Sequence, residues 1–262
     1  MDDAQIKDMV RARYGSIASL SEASCCAPAS SLCCGPQATP QEKALWMGYS
    51  EAELAATPEG ANLGLGCGNP QAIAAMQPGE VVVDLGSGAG FDCFLAARQV
   101  GNSGRVIGVD MTHEMLKKAR DNAARIGAGN VEFRLGELEH LPVADNTADV
   151  VISNCVVNLV PDKEQVFREA FRVLKPGGRL AISDVINIAP LPAELLADPA
   201  LLCGCVAGAA PAERIEAWLS EAGFVDVRVT PIFESREMVD SWASGRGVEH
   251  YIASAMVEAR KP

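Results

Sequence analysis

Strand-like and helix-like hydrophobic patterns alternate over the middle of the chain. Short apolar runs rich in β-branched residues predict strands, namely EVVVDLGSG, RVIGVDM, NVEFRLGE, ADVVISN and RLAISDVIN. Between them, apolar residues recur every three or four positions, which predicts helices over GFDCFLAARQVG, THEMLKKARDNAARIGA and DKEQVFREAFRVLKPGG. Thr112 is the expected N-cap of the second helix, and a glycine is expected to close the third. This alternation predicts a doubly wound, mostly parallel sheet of the Rossmann-like α/β class.

Both ends of the chain depart from this alternation. Residues 1–20 have the apolar spacing of a short amphipathic helix, whereas the Ser-, Ala-, Pro- and Cys-rich residues 21–40 predict a loop. After the fifth strand, an Ala/Leu/Pro-rich insertion precedes one more helix and two more strands. We therefore expect three parts: an N-terminal helix with a Cys-rich segment (1–70), a cofactor-binding core (71–188), and an insertion with C-terminal strands that complete the sheet in a small α+β addition (189–262).

The charge balance narrows the range of partners. The 262 residues carry a formal net charge of −12, and 48% of them are hydrophobic. An acidic chain without clustered Lys and Arg argues against nucleic acid and against an anionic membrane surface as partners. The N-terminal sequence MDDAQIKDMVRARYG contains no apolar signal-peptide core, and no run has the length of a membrane span. We expect a cytoplasmic protein.

Cysteine is the unusual residue type of this sequence. Four of the nine cysteines lie in the stretch SCCAPASSLCCGP, as the pairs Cys25, Cys26 and Cys33, Cys34. The reducing cytosol disfavours structural disulfides, so the cysteines indicate metal binding or redox chemistry.

The glycine-rich turn in VVVDLGSGAGFD predicts a cofactor site. Gly86, Gly88 and Gly90 allow a tight turn and a close approach of the backbone to a ligand at a helix N-terminus. Asp110, at the end of the second strand, is placed to bind the two hydroxyls of a ribose. Asp84 directly precedes the glycines, where it would repel a pyrophosphate but pair with the ammonium group of a methionine. These features favour S-adenosylmethionine over a dinucleotide.

Further cysteines follow the strands that should border this site. Cys155 follows the fourth strand, Cys203 and Cys205 follow the fifth, and Cys67 lies in the glycine-rich stretch GLGCGNP. Ligands bind at the carboxyl ends of parallel strands, so three of these thiols are expected to converge beside the cofactor. Zinc usually takes four ligands, often in CxxC pairs, which this chain lacks. A three-coordinate, thiophilic centre such as arsenic(III) fits better, and spacing alone leaves Cys203 and Cys205 as alternatives.

Longer motifs carry a family resemblance. DLGSGAG resembles the first motif of class I methyltransferases, and LPVADNTADVVISNCVV with FREAFRVLKPGGRLAISD resembles their later motifs. VRARYGSIA, the two cysteine pairs, GLGCGNP, GELEHLPV, ISNCVVNL, CGCVAGA and YIASAMVEARKP resemble the arsenite methyltransferases over nearly the whole chain. GLGCGNP and SNCVVNL are much more specific than the glycine motif.

The resemblance implies an activity and a set of thiol ligands. Members methylate thiol-bound trivalent arsenic from S-adenosylmethionine, so arsenite and methylarsenite are the expected substrates. Cys155 and Cys205 match the cysteines that bind arsenic, Cys67 matches the third, mobile cysteine, and Cys33 or Cys34 matches the cysteine that completes disulfide exchange. Methylation formally oxidises arsenic, and a thiol pair returns it to the trivalent state. A cellular reductant such as thioredoxin or glutathione is then expected as a co-substrate.

The same resemblance places the cofactor. Glu137 and Leu138, in GELEHLP, are the expected neighbours of the adenine. Asn154 either contacts the methionine end or caps the loop after the fourth strand. The full set of expected cofactor-binding residues is Asp84, Gly86, Ser87, Gly88, Asp110, Met111, Glu137, Leu138 and Asn154.

Two other functions share part of these features. A carbon or sulfur methyltransferase acting on a quinone or lipid would share the strand motifs but leave the cysteines unexplained. A thiol-rich sequestering protein would not need the DLGSGAG turn with Asp110. Cys93 is read as a small buried hydrophobe, whereas Cys25 and Cys26 are either a spare thiol pair or part of a solvated loop.

Overall fold

The computed structural model of the protein describes residues 1–19, 38–233, 238–240, 243 and 245–262. No helix in these ranges combines the length and the apolar character that crossing a bilayer requires. The described helices are α1 (Asp3–Ser19), α2 (Pro40–Trp46), α3 (Glu51–Ala55), α4 (Gln71–Ala74), α5 (Phe91–Val100), α6 (His113–Ile126), α7 (Lys163–Val173), α8 (Ala193–Leu196), α9 (Pro199–Leu202) and α10 (Ala212–Ala222). The described strands are β1 (Val81–Leu85), β2 (Arg105–Asp110), β3 (Val131–Leu135), β4 (Ala148–Asn154), β5 (Leu174–Asn187), β6 (Ala210–Pro211), β7 (Val225–Ile232) and β8 (Ile252–Arg260).

The strands form one mixed sheet, and its order is β3-β2-β1-β4-β5-β8-β7. The five strands from β3 to β5 in this order pair in parallel, and the short β6 pairs in parallel with β5. β8 runs antiparallel to both β5 and β7. The predicted doubly wound, mostly parallel α/β fold is confirmed, as is the addition of the last strands to the same sheet.

Side-chain alternation along the strands builds a core on each face of the sheet. Val83 of β1 and Ile107 of β2 pack with α7 and α10, whereas the neighbouring Val82 and Val106 pack with α5 and α6. All four side chains are fully buried. Burial on both faces explains why these strands read as continuous apolar runs in the sequence.

The predicted glycine closure of α7 is wrong. The helix ends at Val173, and Leu174 already has the extended backbone of β5. Pro176 has no N–H group and disfavours a helical conformation in the residue before it. Gly177 and Gly178 then exchange backbone hydrogen bonds of 2.9 Å with Lys261 near the C-terminus, so the KPGG stretch belongs to the sheet.

Helix α1 covers the carboxyl end of the sheet. Its predicted apolar face is confirmed, since Val10 is buried and Ile6, Met9 and Tyr14 pack against the cluster that contains Cys67, Cys155, Cys203 and Cys205. Lys7 anchors the helix to the loop after β3 through ion pairs with Glu137 and Glu139 at 2.6 and 2.9 Å. The N-terminal helix therefore contributes directly to the region where a ligand is expected.

Truncation of a side chain in the sheet core should be costly. Ile107→Ala removes a fully buried side chain from β2, so we expect it to lower the free energy of unfolding by about 2–5 kcal/mol. Ile126→Ala is the matched control, because Ile126 is exposed at the end of α6 and should cost less than about 0.5 kcal/mol. Urea denaturation followed by circular dichroism measures both. Equal losses for the two variants would contradict this description of the core.

Candidate active site

A cavity lies at the carboxyl ends of β1, β2 and β4, beneath α1. Most of the predicted cofactor-binding residues line it, and Cys155 lies at its edge with them. Lining residues predicted from the sequence are Asp84, Gly86, Ser87, Gly88, Asp110, Met111, Leu138 and Asn154. Lining residues not predicted include Lys7, Val10, Tyr14, Tyr49, Asp92 and Glu139.

The glycine-rich turn forms one wall because its backbone adopts a conformation that side chains oppose. Gly86 has φ +73°, and its N–H donates to the Val109 carbonyl at 2.8 Å. A Cβ atom at this position would lie 2.4 Å from Val156 Cγ2. The backbone can therefore pass between β1 and the loop after β4 only with glycine at this position.

Two polar groups in this wall are available to a ligand. Asp84 is buried, and its carboxylate accepts a hydrogen bond from the Cys93 thiol at 3.1 Å. Burial, aided by the nearby Asp92, raises the pKa of Asp84 well above its usual range. Ser87 Oγ is buried and has no hydrogen-bond partner among the described residues. A ligand with a cationic group and further polar atoms would satisfy both.

Asp110 is held at the end of β2 by backbone donors. Its carboxylate accepts from the Gly88 N–H at 2.9 Å and the Thr112 N–H at 2.8 Å. Each oxygen keeps a lone pair for a ligand hydroxyl. Thr112 stands at the predicted N-cap position of α6, but its side chain makes no capping hydrogen bond.

Glu137 lies outside the lining of the cavity. Its carboxylate pairs with Lys7 at 2.6 Å and with Arg11 at 3.2 Å, both on α1. The loop after β3 presents Leu138 and Glu139 to the cavity. The stretch GELEHLP therefore borders the cavity as expected, but the acidic residue facing it is Glu139.

Three cysteines converge beside the cavity. Sγ of Cys67 and Sγ of Cys155 lie within 4.8 Å of each other and of an Asp184 carboxylate oxygen. The Cys205 thiol donates to the Cys155 carbonyl at 3.0 Å. All three residues are buried and free of disulfides. Cys205 is therefore the cysteine of the CGC stretch whose thiol contacts Cys155, whereas the Cys203 carbonyl accepts from the Tyr14 hydroxyl at 3.2 Å.

Two of these cysteines adopt a backbone conformation that is rare for residues with a side chain. Cys155 has φ +58° and Cys205 has φ +64°, both in the left-handed region. This conformation costs about 1–2 kcal/mol per residue relative to the right-handed one. Strain of this kind persists where the surroundings enforce it, and it is concentrated at functional sites.

The loop carrying Cys67 is bound to the end of β4 by Asn154. The Asn154 amide oxygen accepts from the Cys67 N–H at 3.0 Å, and its nitrogen donates to the Gly68 carbonyl at 2.9 Å. The same nitrogen lies 3.0 Å from the Tyr49 hydroxyl and 3.2 Å from an Asp92 oxygen. Asn154 thus lines the cavity and holds the Cys67 loop, whereas the expected alternative role was capping the loop after β4.

Burial and neighbouring groups raise the pKa of two thiols in the cluster. Contacts with the Cys205 and Cys67 side chains, together with burial, raise the pKa of Cys155 well above its usual range. Burial also raises the pKa of Cys67, and the Asp184 carboxylate adds to this rise. These shifts favour the thiol over the thiolate at Cys67 and Cys155.

Comparison with known proteins connects this site to a family. A profile described as "Methyltransferase domain" matches residues 76–223. A protein of Halobacterium salinarum named arsenite methyltransferase is 52% identical over 267 residues, which cover 100% of this chain and 68% of that protein. The chain belongs to the arsenite methyltransferase family.

Two further relatives support the family at lower identity. An arsenite methyltransferase of Aquipseudomonas alcaligenes is 46% identical over 63% of this chain, and the match spans 49% of that relative's length. The crystal structure of an arsenic(III) S-adenosylmethionine methyltransferase from Chlamydomonas reinhardtii superposes with a TM-score of 0.63 and 33% identity, covering 87% of this chain and 75% of that one.

Sequence reasoning missed several residues of this family member's site. Asp184 lies in the apolar run of β5, and only the pairing of β4 with β5 brings it to the thiols. Lys163, partly buried at the start of α7, interacts electrostatically with Asp184 and Cys205, and burial lowers its pKa. Tyr14 reaches the site from α1. No short sequence motif predicts these contacts, because each depends on tertiary packing.

The N-terminal cysteine pairs lie outside the described residues. The predicted loop over 21–40 falls largely in the same part of the chain, and the roles expected for Cys25, Cys26, Cys33 and Cys34 stay predictions. Cys93 is fully buried, as expected, with its thiol turned to Asp84.

The Cys67 loop should tolerate no side chain at Gly68. A Cβ atom there would lie 2.1 Å from Ser183 Oγ, so Gly68→Ala should displace the loop at a cost of about 1–3 kcal/mol. We expect faster alkylation of Cys67 by iodoacetamide, measured by peptide mass spectrometry. Gly129→Ala is the control, since a Cβ atom there meets nothing within 4 Å. Unchanged Cys67 alkylation in Gly68→Ala would show that the loop does not depend on this close approach.

Proposed function

We propose that this protein methylates trivalent arsenic, with S-adenosylmethionine as the methyl donor and Cys67, Cys155 and Cys205 as the arsenic ligands. One observation carries the proposal: Cys155 belongs to the thiol cluster and also lines the cofactor cavity. The methyl donor and the arsenic acceptor would therefore lie on two sides of Cys155. The family relationship supports the same reaction.

The cavity residues suit the proposed cofactor. S-adenosylmethionine, when bound, supplies a methyl group on a cationic sulfur. The buried Asp84 carboxylate would hold the methionine ammonium, and Asp110 would accept from the ribose hydroxyls. Ser87 Oγ gains the partner that it lacks, and Leu138 would pack on the adenine. Glu139 replaces Glu137 as the acidic residue at that end of the cavity.

Arsenite binding to neutral thiols is balanced without a separate base. Each of three thiols replaces one hydroxide of arsenous acid, and its proton leaves with that hydroxide as water. The product is arsenic bonded to three sulfurs, with a lone pair in the remaining direction.

Positioning accounts for the rate enhancement that we propose. The strained backbone at Cys155 and Cys205 orients two ligands, and Asn154 orients the third through the Cys67 N–H. Fixed geometry of this kind converts an encounter into an intramolecular step. Helix α1 closes the cavity with Val10 and Tyr14 and limits the access of water. No general base is assigned, since the acceptor is a lone pair.

A disulfide relay completes the proposed cycle. Methyl transfer raises arsenic formally from the trivalent to the pentavalent state. Two thiolates of the protein return two electrons to it and become joined as a disulfide. Exchange with Cys33 or Cys34 would pass the disulfide to the N-terminal segment, where thioredoxin or glutathione reduces it.

Loss of an arsenic ligand should abolish methylation while the cofactor still binds. Cys155→Ser is expected to lower the yield of methylated arsenic at least about 100-fold, measured by chromatography with arsenic detection. S-adenosylmethionine binding, measured by calorimetry, should persist. Cys93→Ser is the matched control, because it alters an equally buried cysteine away from the cluster. The serine hydroxyl can still donate to Asp84, so this variant should keep methylation.

Two results would favour a function other than arsenic methylation. Cofactor binding without any methylated arsenic from the unaltered protein would favour the quinone or lipid methyltransferase. Arsenite binding without a saturable cofactor site would favour a sequestering protein.

The relay is tested by separating one turnover from many. Cys33→Ser combined with Cys34→Ser should leave the methylation of pre-reduced, thiol-bound methylarsenite intact in a single turnover. Sustained turnover with thioredoxin should fall, because the disulfide has no exit. Cys25→Ser with Cys26→Ser serves as the matched control. Equal losses in single-turnover and sustained assays would refute the relay.

A further inference from the structure

A carboxylate stands inside the thiol cluster. Asp184 offers an oxygen within 4.8 Å of Sγ of both Cys67 and Cys155, and all three residues are buried. They come from the GLGCGNP loop, the residue after β4 and the middle of β5. Arsenic(III) bonded to three sulfurs keeps its lone pair in the fourth direction. The carboxylate is therefore one donor more than the proposed substrate uses.

We propose that this cluster also binds one thiophilic divalent cation, Zn²⁺ or Cd²⁺, through Cys67, Cys155 and Asp184, with Cys205 as the fourth donor. The bound ion occupies the place of the substrate and inhibits the enzyme. The competition with arsenite rests on the proposed function, whereas the binding of the ion does not.

The donor set matches such an ion. Zn²⁺ is bound tetrahedrally by cysteine sulfur at about 2.3 Å and by carboxylate oxygen at about 2.0–2.2 Å, which sets its donor atoms about 3.3–3.8 Å apart. The observed donors lie within 4.8 Å of one another, so a small contraction completes the site. Cys205 Sγ lies 3.0 Å from the Cys155 carbonyl, and rotation of its side chain brings the fourth sulfur in.

The carboxylate is oriented by groups behind it. Asp184 Oδ1 accepts from the Asn158 side chain at 2.8 Å and from the Val185 N–H at 2.7 Å. Oδ2 accepts a longer bond of 3.3 Å from the Asn158 N–H, and the Val157 N–H also bonds to the carboxylate. Each carboxylate oxygen has two lone pairs, so capacity for an ion remains. Hydrogen bonds of this kind fix ligating carboxylates in metal sites.

Charge in the site is partly compensated. Binding of the ion releases the thiol protons to solvent and changes no oxidation state. Three thiolates and one carboxylate around a divalent cation leave a net charge of −2, which burial opposes. The Lys163 ammonium lies within electrostatic reach of Asp184 and Cys205 and offsets one of these charges.

Cadmium titration tests the site with a readout independent of methylation. The full chain is used with Cys25, Cys26, Cys33 and Cys34 replaced by serine, so that the N-terminal thiols contribute no signal. We expect the sulfur-to-cadmium charge-transfer absorption to saturate at one Cd²⁺ per chain, and zinc to displace the cadmium. The ¹¹³Cd NMR shift should be that of three sulfur donors and one oxygen. A shift typical of four sulfurs, or no saturable binding, would overturn the proposal.

Substitution isolates the carboxylate. Asp184→Asn should weaken cadmium binding at least about tenfold while arsenite binding to the three thiols persists. Cys93→Ser, outside the cluster, should leave cadmium binding unchanged. Unfolding and cofactor-binding measurements verify that each variant is folded. If Asp184→Asn does not fold, the ¹¹³Cd NMR shift of the protein that retains Asp184 shows whether an oxygen donor binds the ion. Equal cadmium affinity with and without Asp184 would refute its role.

Arsenite competition separates this inference from the proposed function. Displacement of cadmium by arsenite supports both. Cadmium binding at the cluster that arsenite cannot displace would uphold the metal site and count against the arsenic site. Arsenite binding without cadmium binding would support the arsenic site and overturn the metal site.

Discussion

The arrangement depends on the close approach of the Cys67 loop to the ends of β4 and β5. Asn154 holds this loop by two backbone hydrogen bonds, and Gly68 allows it to lie against Ser183, where a Cβ atom would be 2.1 Å from the hydroxyl oxygen. Cys155 and Asp184 stand one residue beyond Asn154 and Ser183, which pair across β4 and β5. The contact that anchors the loop therefore also assembles the donor cluster.

Stability and function are opposed at this point of the fold. Cys155 and Cys205 have left-handed backbones, Asp84 and Asp184 are buried carboxyl groups, and burial raises the pKa of Asp184 to about 6. Each feature costs free energy that the apolar core on both faces of the sheet must offset. The same features form the donor cluster and the polar part of the cavity wall.

Local periodicity predicted most of the fold but only part of the site. Strands buried on both faces and amphipathic helices have hydrophobic patterns that can be recognised in the sequence. Cysteines that follow parallel strands converge because these strands end at one edge of the sheet. The position of Asp184 in the donor cluster could not be predicted, because this residue lies within an apolar run and strand register determines its neighbours. Glu137 and Glu139 both pair with Lys7 of α1, but only Glu139 lines the cavity. The KPGG stretch resembled a helix end but pairs with the C-terminal strand.

X-ray absorption spectroscopy of the arsenite-bound protein tests the central claim most directly. The sample is the full chain with Cys25, Cys26, Cys33 and Cys34 replaced by serine, and with no added thiol. We expect three sulfur neighbours around arsenic and no oxygen, with one sulfur lost in Cys155→Ser. Retained oxygen neighbours, or an unchanged spectrum in Cys155→Ser, would contradict it.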